Sequence, residues 1–336
     1  MKKIRKSFGV ILTAAVFLST LTACTDGNGQ NLKAKETLKI GVANRTFKEN
    51  VYRYMEEGSQ ARAEQLHAEI RWQACDMNIA TQMNIVENYI AQDYDCIAIE
   101  PCDTVTVYQT ARRVQKEGIP LIALDQKMEG IVPDLYITAD NYKLGSMQVE
   151  DFISRWGEEP ANCVVLTGPD GEYGAEQIKS GVVDTIAKYE NLNLIFIQAI
   201  ADWDREKAMK SMEDAISVYG EEIDVVFAAN DGMMLGAYKA AENSGLENKM
   251  EFYGGDDDKE TVEMILAGAD NLHTVERNSY QNGEIIAEAA YELMTGAEVT
   301  YDEIDEDGYK VRWVELEMVS ADEMDPAREK FPELFE

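Results

Sequence analysis

Residues 227–240 read FAANDGMMLGAYKA. The apolar run 225–229 stops at a carboxamide and a carboxylate, Asn230 and Asp231. A helical pattern follows, with Met233, Met234, Ala237 and Ala241 on its apolar side. Polar groups at a strand-to-helix handover either hold a ligand or cap the helix. The expectation here divides the pair: Asn230 as ligand contact and Asp231 as helix cap. Similar groups close the other apolar runs. Arg45, Phe47, Glu49 and Tyr52 follow 38–43, and Asp125 and Gln126 follow 120–124. PDGEYG follows 164–168, Trp203 in DWD follows 194–199, Asp256 follows 252–255 and Arg277 follows 272–276.

Carboxylates accept from adjacent hydroxyls, amides donate and accept at once, and arginine forks donate in a plane. An aromatic face covers the C–H face of a sugar ring. The set suits a neutral polyhydroxylated ligand, and holding one needs no catalyst. The enzymatic alternative is a glycosidase pair drawn from Glu49, Asp125 and Asp256. Phosphate chemistry has no support: GxGxxG and GxxxxGK[ST] are both absent, as is a GxSxG elbow. With two histidines, His67 and His273, an imidazole-based metal site is not expected. No cofactor, metal or catalytic residue is expected. EIDEDGYK (303–310) has the acids of a calcium loop, but position twelve is Val314, so a hairpin turn at Asp-Gly is expected instead.

These groups need strand ends to carry them. Short β runs at 38–43, 70–75, 96–100 and 120–125 alternate with helical stretches at about 50–67, 79–92 and 104–117. A second set of runs, 164–168, 194–199, 225–230 and 252–256, alternates in the same way, with a helix at 258–267. Such alternation predicts parallel sheets with helices on both faces, here two α/β lobes of doubly wound sheet. Residues 138–145 run directly from one set into the next, and Asp140 and Asn141 are assigned to this hinge rather than to ligand contact.

The N-terminus, MKKIRKSFGVILTAAVFLSTLTAC, has Lys2, Lys3, Arg5 and Lys6 before an apolar core at 10–21. It reads as a secretory signal over 1–23. Leu21-Thr22-Ala23-Cys24 resembles a bacterial lipobox, with Cys24 the lipid-modified residue and 24–36 a flexible tether. The chain is 336 residues long, with 45% apolar and 28% charged residues and a net charge of −32. Loss of residues 1–23 removes four positive charges and no acids, leaving −36. That excludes nucleic acid as a partner, which needs a basic face. Cys96 and Cys163 lie in apolar runs and read as core. Cys75 and Cys102 are left open between a disulfide and two thiols.

Seven strings carry a resemblance: IAIEPCDTVTV (97–107), GIPLIALD (118–125), ITADNYKLG (137–145), ADWDREKA (201–208), VVFAANDGMMLGA (225–237), YGGDDDKE (253–260) and VELEMVSADEMD (314–325). In this order they resemble the ribose/galactose-binding periplasmic proteins of ABC transporters, over residues 37 to about 325. The resemblance implies a type I periplasmic binding fold, two lobes joined by a three-strand hinge. It places 37–139 and about 278–305 in the N-terminal lobe, and 140–277 and about 306–336 in the C-terminal lobe.

By the same resemblance Asp125 binds hydroxyls, Trp203 stacks on the sugar, and Asn230 and Asp256 form the C-lobe hydrogen-bonding pair. Arg277 stands where the family commonly has Gln or Asn. Glu49 falls where the first loop reaches the ligand, and Phe47, Val51 and Tyr52 compete as a second stacking group. Two family arginines are replaced, by Gln126 and by Ile178 in AEQIKSG. Ribose is therefore disfavoured and a hexose slightly favoured, with an amino sugar as an alternative. The implied partners are a monosaccharide, an ABC transporter permease and, through Cys24, the outer face of the cell membrane. The implied protein is monomeric and non-enzymatic. A sensory role, reporting the sugar to a membrane kinase or chemoreceptor, is the alternative.

Overall fold

The computed structural model describes residues 37–335, except Glu49 and Asp257. The signal, tether and Cys24 expectations, and Glu49, therefore lie outside the described residues.

Strands β1 (Leu38–Asn44), β2 (Ala68–Ala74), β3 (Cys96–Ile99), β4 (Leu121–Leu124) and β5 (Leu135–Ala139) alternate with helices α1 (Val51–Gln65), α2 (Ile79–Ala91) and α3 (Val107–Lys116). After α4 (Asn141–Trp156) come β6 (Ala161–Thr167), α5 (Tyr173–Ile186), β7 (Leu192–Ala199), α6 (Arg205–Tyr219), β8 (Val225–Ala228) and α7 (Asp231–Ser244). The chain continues through β9 (Glu251–Gly255), α8 (Lys259–Leu266), β10 (Leu272–Glu276) and α9 (Ser279–Thr295). It ends with β11 (Glu303–Ile304), β12 (Lys310–Val314), β13 (Glu317–Val319) and α10 (Asp325–Lys330).

One sheet has the order β11-β12-β5-β4-β3-β1-β2 and the other β13-β10-β9-β8-β6-β7. Pairing is parallel except at the edges, where β11 runs against β12 and β13 against β10. Every residue of β3, β4, β5, β8 and β10 is buried. That is the burial of a parallel sheet covered on both faces, and it explains continuous apolar runs in place of alternation. In the first lobe α1 packs on α9 over one face, with Ile40, Val42, Ala98 and Ile122 beneath; Ile97, Ile99, Leu121 and Ala123 face the other side. In the second lobe Val149, Phe152, Val182 and Ile186 of α4 and α5 cover Cys163, Val165 and Phe227. Helices α6 and α7 bury Met212, Met233 and Ala237 on the opposite face.

The structure adds one strand and corrects one boundary. β5 is a full strand of the first sheet that the expected β runs did not include, and it overlaps the 138–145 connection. Its residues LYITA are all buried and pair with β4 and β12. The final crossing also comes later than residue 305. β12 pairs with β5 in the first sheet and β13 with β10 in the second, so the chain changes lobe between Val314 and Glu317. The other crossings are the β5–α4 and β10–α9 junctions. The 303–310 segment is the expected hairpin: Asp305 Oδ1 accepts from Asp307 N–H and Tyr309 N–H, and Gly308 has φ 85°.

Candidate functional site

In each sheet the strand order reverses beside the first strand, between β1 and β3 and between β6 and β8. Crevices beyond the carboxyl ends of strands at such points are where α/β sheets bind ligands. Here the two crevices face each other across one cleft. Its walls carry Arg45, Tyr52, Asp125, Gln126, Trp203, Asn230, Asp256 and Arg277, eight of the residues expected from sequence.

Arg277 joins the lobes at the cleft floor. Its Nη2 lies 2.9 Å from Asp125 Oδ1 and donates to Asn141 Oδ1 at 3.3 Å, while Nη1 is 3.6 Å from Asp256 Oδ1. Burial works against the guanidinium charge, but Asp125 and Asp256 outweigh it and raise the Arg277 pKa. Arg45 closes the opposite wall. Its Nε donates to Tyr52 Oη at 3.0 Å and lies 2.9 Å from Glu100 Oε1, and Tyr52 O–H donates to Glu100 Oε1 at 2.7 Å. Arg45 Nη1 also bridges to Glu172 Oε1 of the second lobe. Glu172 Oε2 in turn accepts from Trp203 Nε1 at 3.0 Å, which fixes the indole plane.

Three of these residues hold left-handed backbone: Asp125 at φ 55°, Trp203 at φ 54° and Asp256 at φ 106°. Non-glycine residues adopt this region at a cost, and such strain concentrates at ligand sites. The Trp203 ring is seated over Gly168, where a Cβ would come within 2.5 Å of its edge. Gln126 is buried, and its Oε1 has no hydrogen-bond partner among the described residues. A buried acceptor left unpaired is a place for a ligand hydroxyl.

Asn230 takes the capping role expected of Asp231 and keeps its place on the cleft wall. Asn230 Oδ1 caps α7 by accepting from Met233 N–H at 2.9 Å, while the residue still lines the cleft. Asp231 is fully buried and does not cap; its carboxylate accepts from Thr274 O–H at 2.7 Å and Asp258 N–H at 2.8 Å. Asn230 has extended backbone and precedes the first helical turn, which is the cap geometry. Phe47 is not on the cleft wall: its ring packs 6.4 Å from the Trp72 ring at 42°. Asn141, assigned from sequence to the hinge alone, lines the cleft and contacts Arg277, while Asp140 caps α4 through Lys143 N–H. Ile178 lines the cleft as well. Glu100 and Glu172 were missed. Glu100 ends the 96–100 run and Glu172 lies in the PDGEYG string after 164–168, but their contacts to Arg45 appear only on folding.

The comparisons agree with this geometry. The xylitol-binding protein of Mycolicibacterium smegmatis is 28% identical over 307 residues, 90% of this chain and 84% of that protein. The D-xylose-binding periplasmic protein of Escherichia coli is 28% identical over 294 residues, 86% of this chain and 88% of that protein. Among solved structures, an ABC transporter periplasmic solute-binding protein from Actinobacillus succinogenes with bound D-allose superposes with TM-score 0.77 at 24% identity. It covers 85% of this chain and 98% of that one, and shows the shared fold. The periplasmic binding protein domain model matches residues 40–298. The chain therefore belongs to the periplasmic binding protein domain family, and its two hinged α/β lobes are the type I fold of that family.

Proposed function

We propose that this chain is an extracytoplasmic solute-binding lipoprotein that closes on a monosaccharide and delivers it to an ABC sugar transporter. The observation that carries the reading is the cleft wall: acids and arginines already paired with one another, an unpaired Gln126 acceptor and a fixed Trp203 face. Paired charges leave a site that is polar without favouring a strongly charged ligand, and each group still offers lone pairs or N–H to hydroxyls. A site of this kind rejects analogues that lack a hydroxyl, because its own buried groups would go unpaired. The names of the relatives, xylitol-, xylose-, allose- and ribose-binding, support a sugar or its alcohol as the solute class. Within that class the hexose expectation is tested against pentoses and pentitols. Anchoring through Cys24 rests on the LTAC string. Lobe closure around the solute would present the docking face to the permease.

The test is a thermal-shift screen of the chain against pentoses, hexoses, amino sugars and polyols. A solute that binds the native state alone raises stability by about 2.7 kcal/mol at a hundredfold excess over Kd. One solute giving a large shift, lost in Trp203→Ala, carries the reading; no shift with any of them removes it. Uptake of that solute in a strain lacking the gene then separates import from sensing, since a sensory receptor leaves uptake intact.

A further inference from the structure

Cys75 follows β2 and Cys102 lies in the turn beyond β3, directly behind the cleft wall that holds Arg45. Their Sγ atoms are 2.7 Å apart. Both are thiols in this structure; Cys75 is buried and Cys102 half-exposed. The surrounding hydrogen bonds tie the pair to the cleft. Cys75 N–H donates to Asn44 O at 3.0 Å, Met77 N–H donates to Arg45 O at 2.9 Å, and Cys75 Sγ lies 3.5 Å from Arg45 O. On the other side Cys102 N–H donates to Gln82 Oε1 at 3.1 Å, and Gln82 Nε2 donates to Glu100 O at 2.6 Å. The two cysteines thus underlie the backbone of the two residues, Arg45 and Glu100, whose side chains meet 2.9 Å apart.

We propose that Cys75 and Cys102 form a reversible disulfide staple beneath the Arg45–Glu100 pair, made by exchange with a small disulfide such as oxidised glutathione. Cys102, the more exposed of the two thiols, gives its proton to solvent as it attacks the oxidant's disulfide and expels one glutathione thiolate. The Cys75 thiolate then attacks Cys102 Sγ in the mixed disulfide and expels the second. Two protein thiols lose two protons and two electrons, and one glutathione disulfide becomes two thiols. Geometry supports the second step, since the attacking and receiving sulfurs are already in contact. Backbone N–H groups of Asn78, Met77 and Cys75 hydrogen-bond to Cys75 Sγ and favour its thiolate in that step. An extracytoplasmic compartment permits such bonds. The other two described cysteines, Cys96 and Cys163, are buried in the sheets, and burial pushes both thiols up, which keeps them inert. The cross-link does not depend on which solute the cleft takes.

The experiment treats the folded full chain with oxidised glutathione, alkylates it and maps the unreduced peptides by mass spectrometry. The expected product joins Cys75 to Cys102 and leaves Cys96 and Cys163 alkylated only after denaturation. Oxidised protein should melt about 5 °C or more above protein in dithiothreitol, because the closed loop restricts the unfolded chain. Cys102→Ser and Cys102→Ala should lose the redox dependence while folding normally, which covers failure of a Cys75 variant to fold. Recovery of Cys75 and Cys102 as two alkylated thiols after oxidation, or linkage of either to another cysteine, would overturn the proposal. With the solute from the screen, reduction should weaken binding severalfold; equal affinity in both redox forms would overturn the coupling to Arg45 but not the staple.

Discussion

Arg277 Nη2 and Asp125 Oδ1 are 2.9 Å apart, although one residue directly follows β10 in the second lobe and the other directly follows β4 in the first. The contact makes the cleft floor a bridge between lobes. Breaking it from one side leaves a buried guanidinium with the more distant Asp256 and the Asn141 carboxamide. Asp125→Ala is expected to lower stability by about 1–3 kcal/mol and to weaken solute binding at least tenfold. Denaturant unfolding and calorimetric titration would read the two effects. Unchanged stability would mean that the ion pair contributes nothing net.

Glu172 spans the cleft mouth, bridging Arg45 across the lobes and accepting from Trp203 Nε1 within its own. Glu172→Ala should free the indole and favour the open form. The expected result is a five- to tenfold loss of solute affinity, about 1–1.4 kcal/mol, with a larger radius of gyration in small-angle scattering. Glu172→Gln keeps an acceptor for Trp203 and should lose less. Equal losses in the two variants would assign the effect to the Arg45 bridge alone.

Gly168→Ala would place a Cβ 2.5 Å from Trp203 Cη2 and 2.8 Å from Ala175 Cβ. Both neighbours are side chains, so the indole is the group expected to shift. Solute affinity should fall by about tenfold, on the scale of an aromatic contact, while the thermal midpoint changes by only a few degrees. A variant that binds normally would show that Trp203 does not stack on the ligand.

Burial, followed by the charge of Asp258, raises the Asp231 pKa, and the Thr274 hydrogen bond opposes the rise. A raised carboxyl holds its proton in the folded chain to a higher pH than in the unfolded chain. Its contribution is complete below the unfolded value of about 3.9 and is lost as pH rises through the folded value. Asp231→Asn has no such proton to lose. Its stability should therefore fall less than that of the parent as pH rises from 4 to 8, read by urea unfolding at each pH. Parallel curves would show that Asp231 is not the titrating group.

The sites at strand ends were legible because a parallel sheet obliges each apolar strand to stop where its ligand-facing loop begins. Asp125, Trp203, Asn230, Asp256 and Arg277 were all found in this way, and all line the cleft. Phe47 was not separable from Tyr52 by the same rule. The two sit in one loop-to-helix segment, and only packing sends Phe47 towards Trp72 and Tyr52 towards Arg45. The cap falling to Asn230 instead of Asp231 has a similar cause. Either side chain could cap α7, and the choice fell to the one without Thr274 and Asp258 N–H to satisfy.

By itself the sequence determined the alternation of strands and helices, and hence two doubly wound lobes with polar loops at one end of each sheet. It did so because burial period and strand length are local properties of the chain. Tertiary structure alone decided that Glu172 meets Arg45, that Asn141 turns from hinge to cleft, and that Cys75 meets Cys102. Glu172 and Arg45 are 127 residues apart, and Asn141 and Arg277 are 136 apart. Such contacts depend on how two sheets close over one another, and no local pattern encodes that geometry.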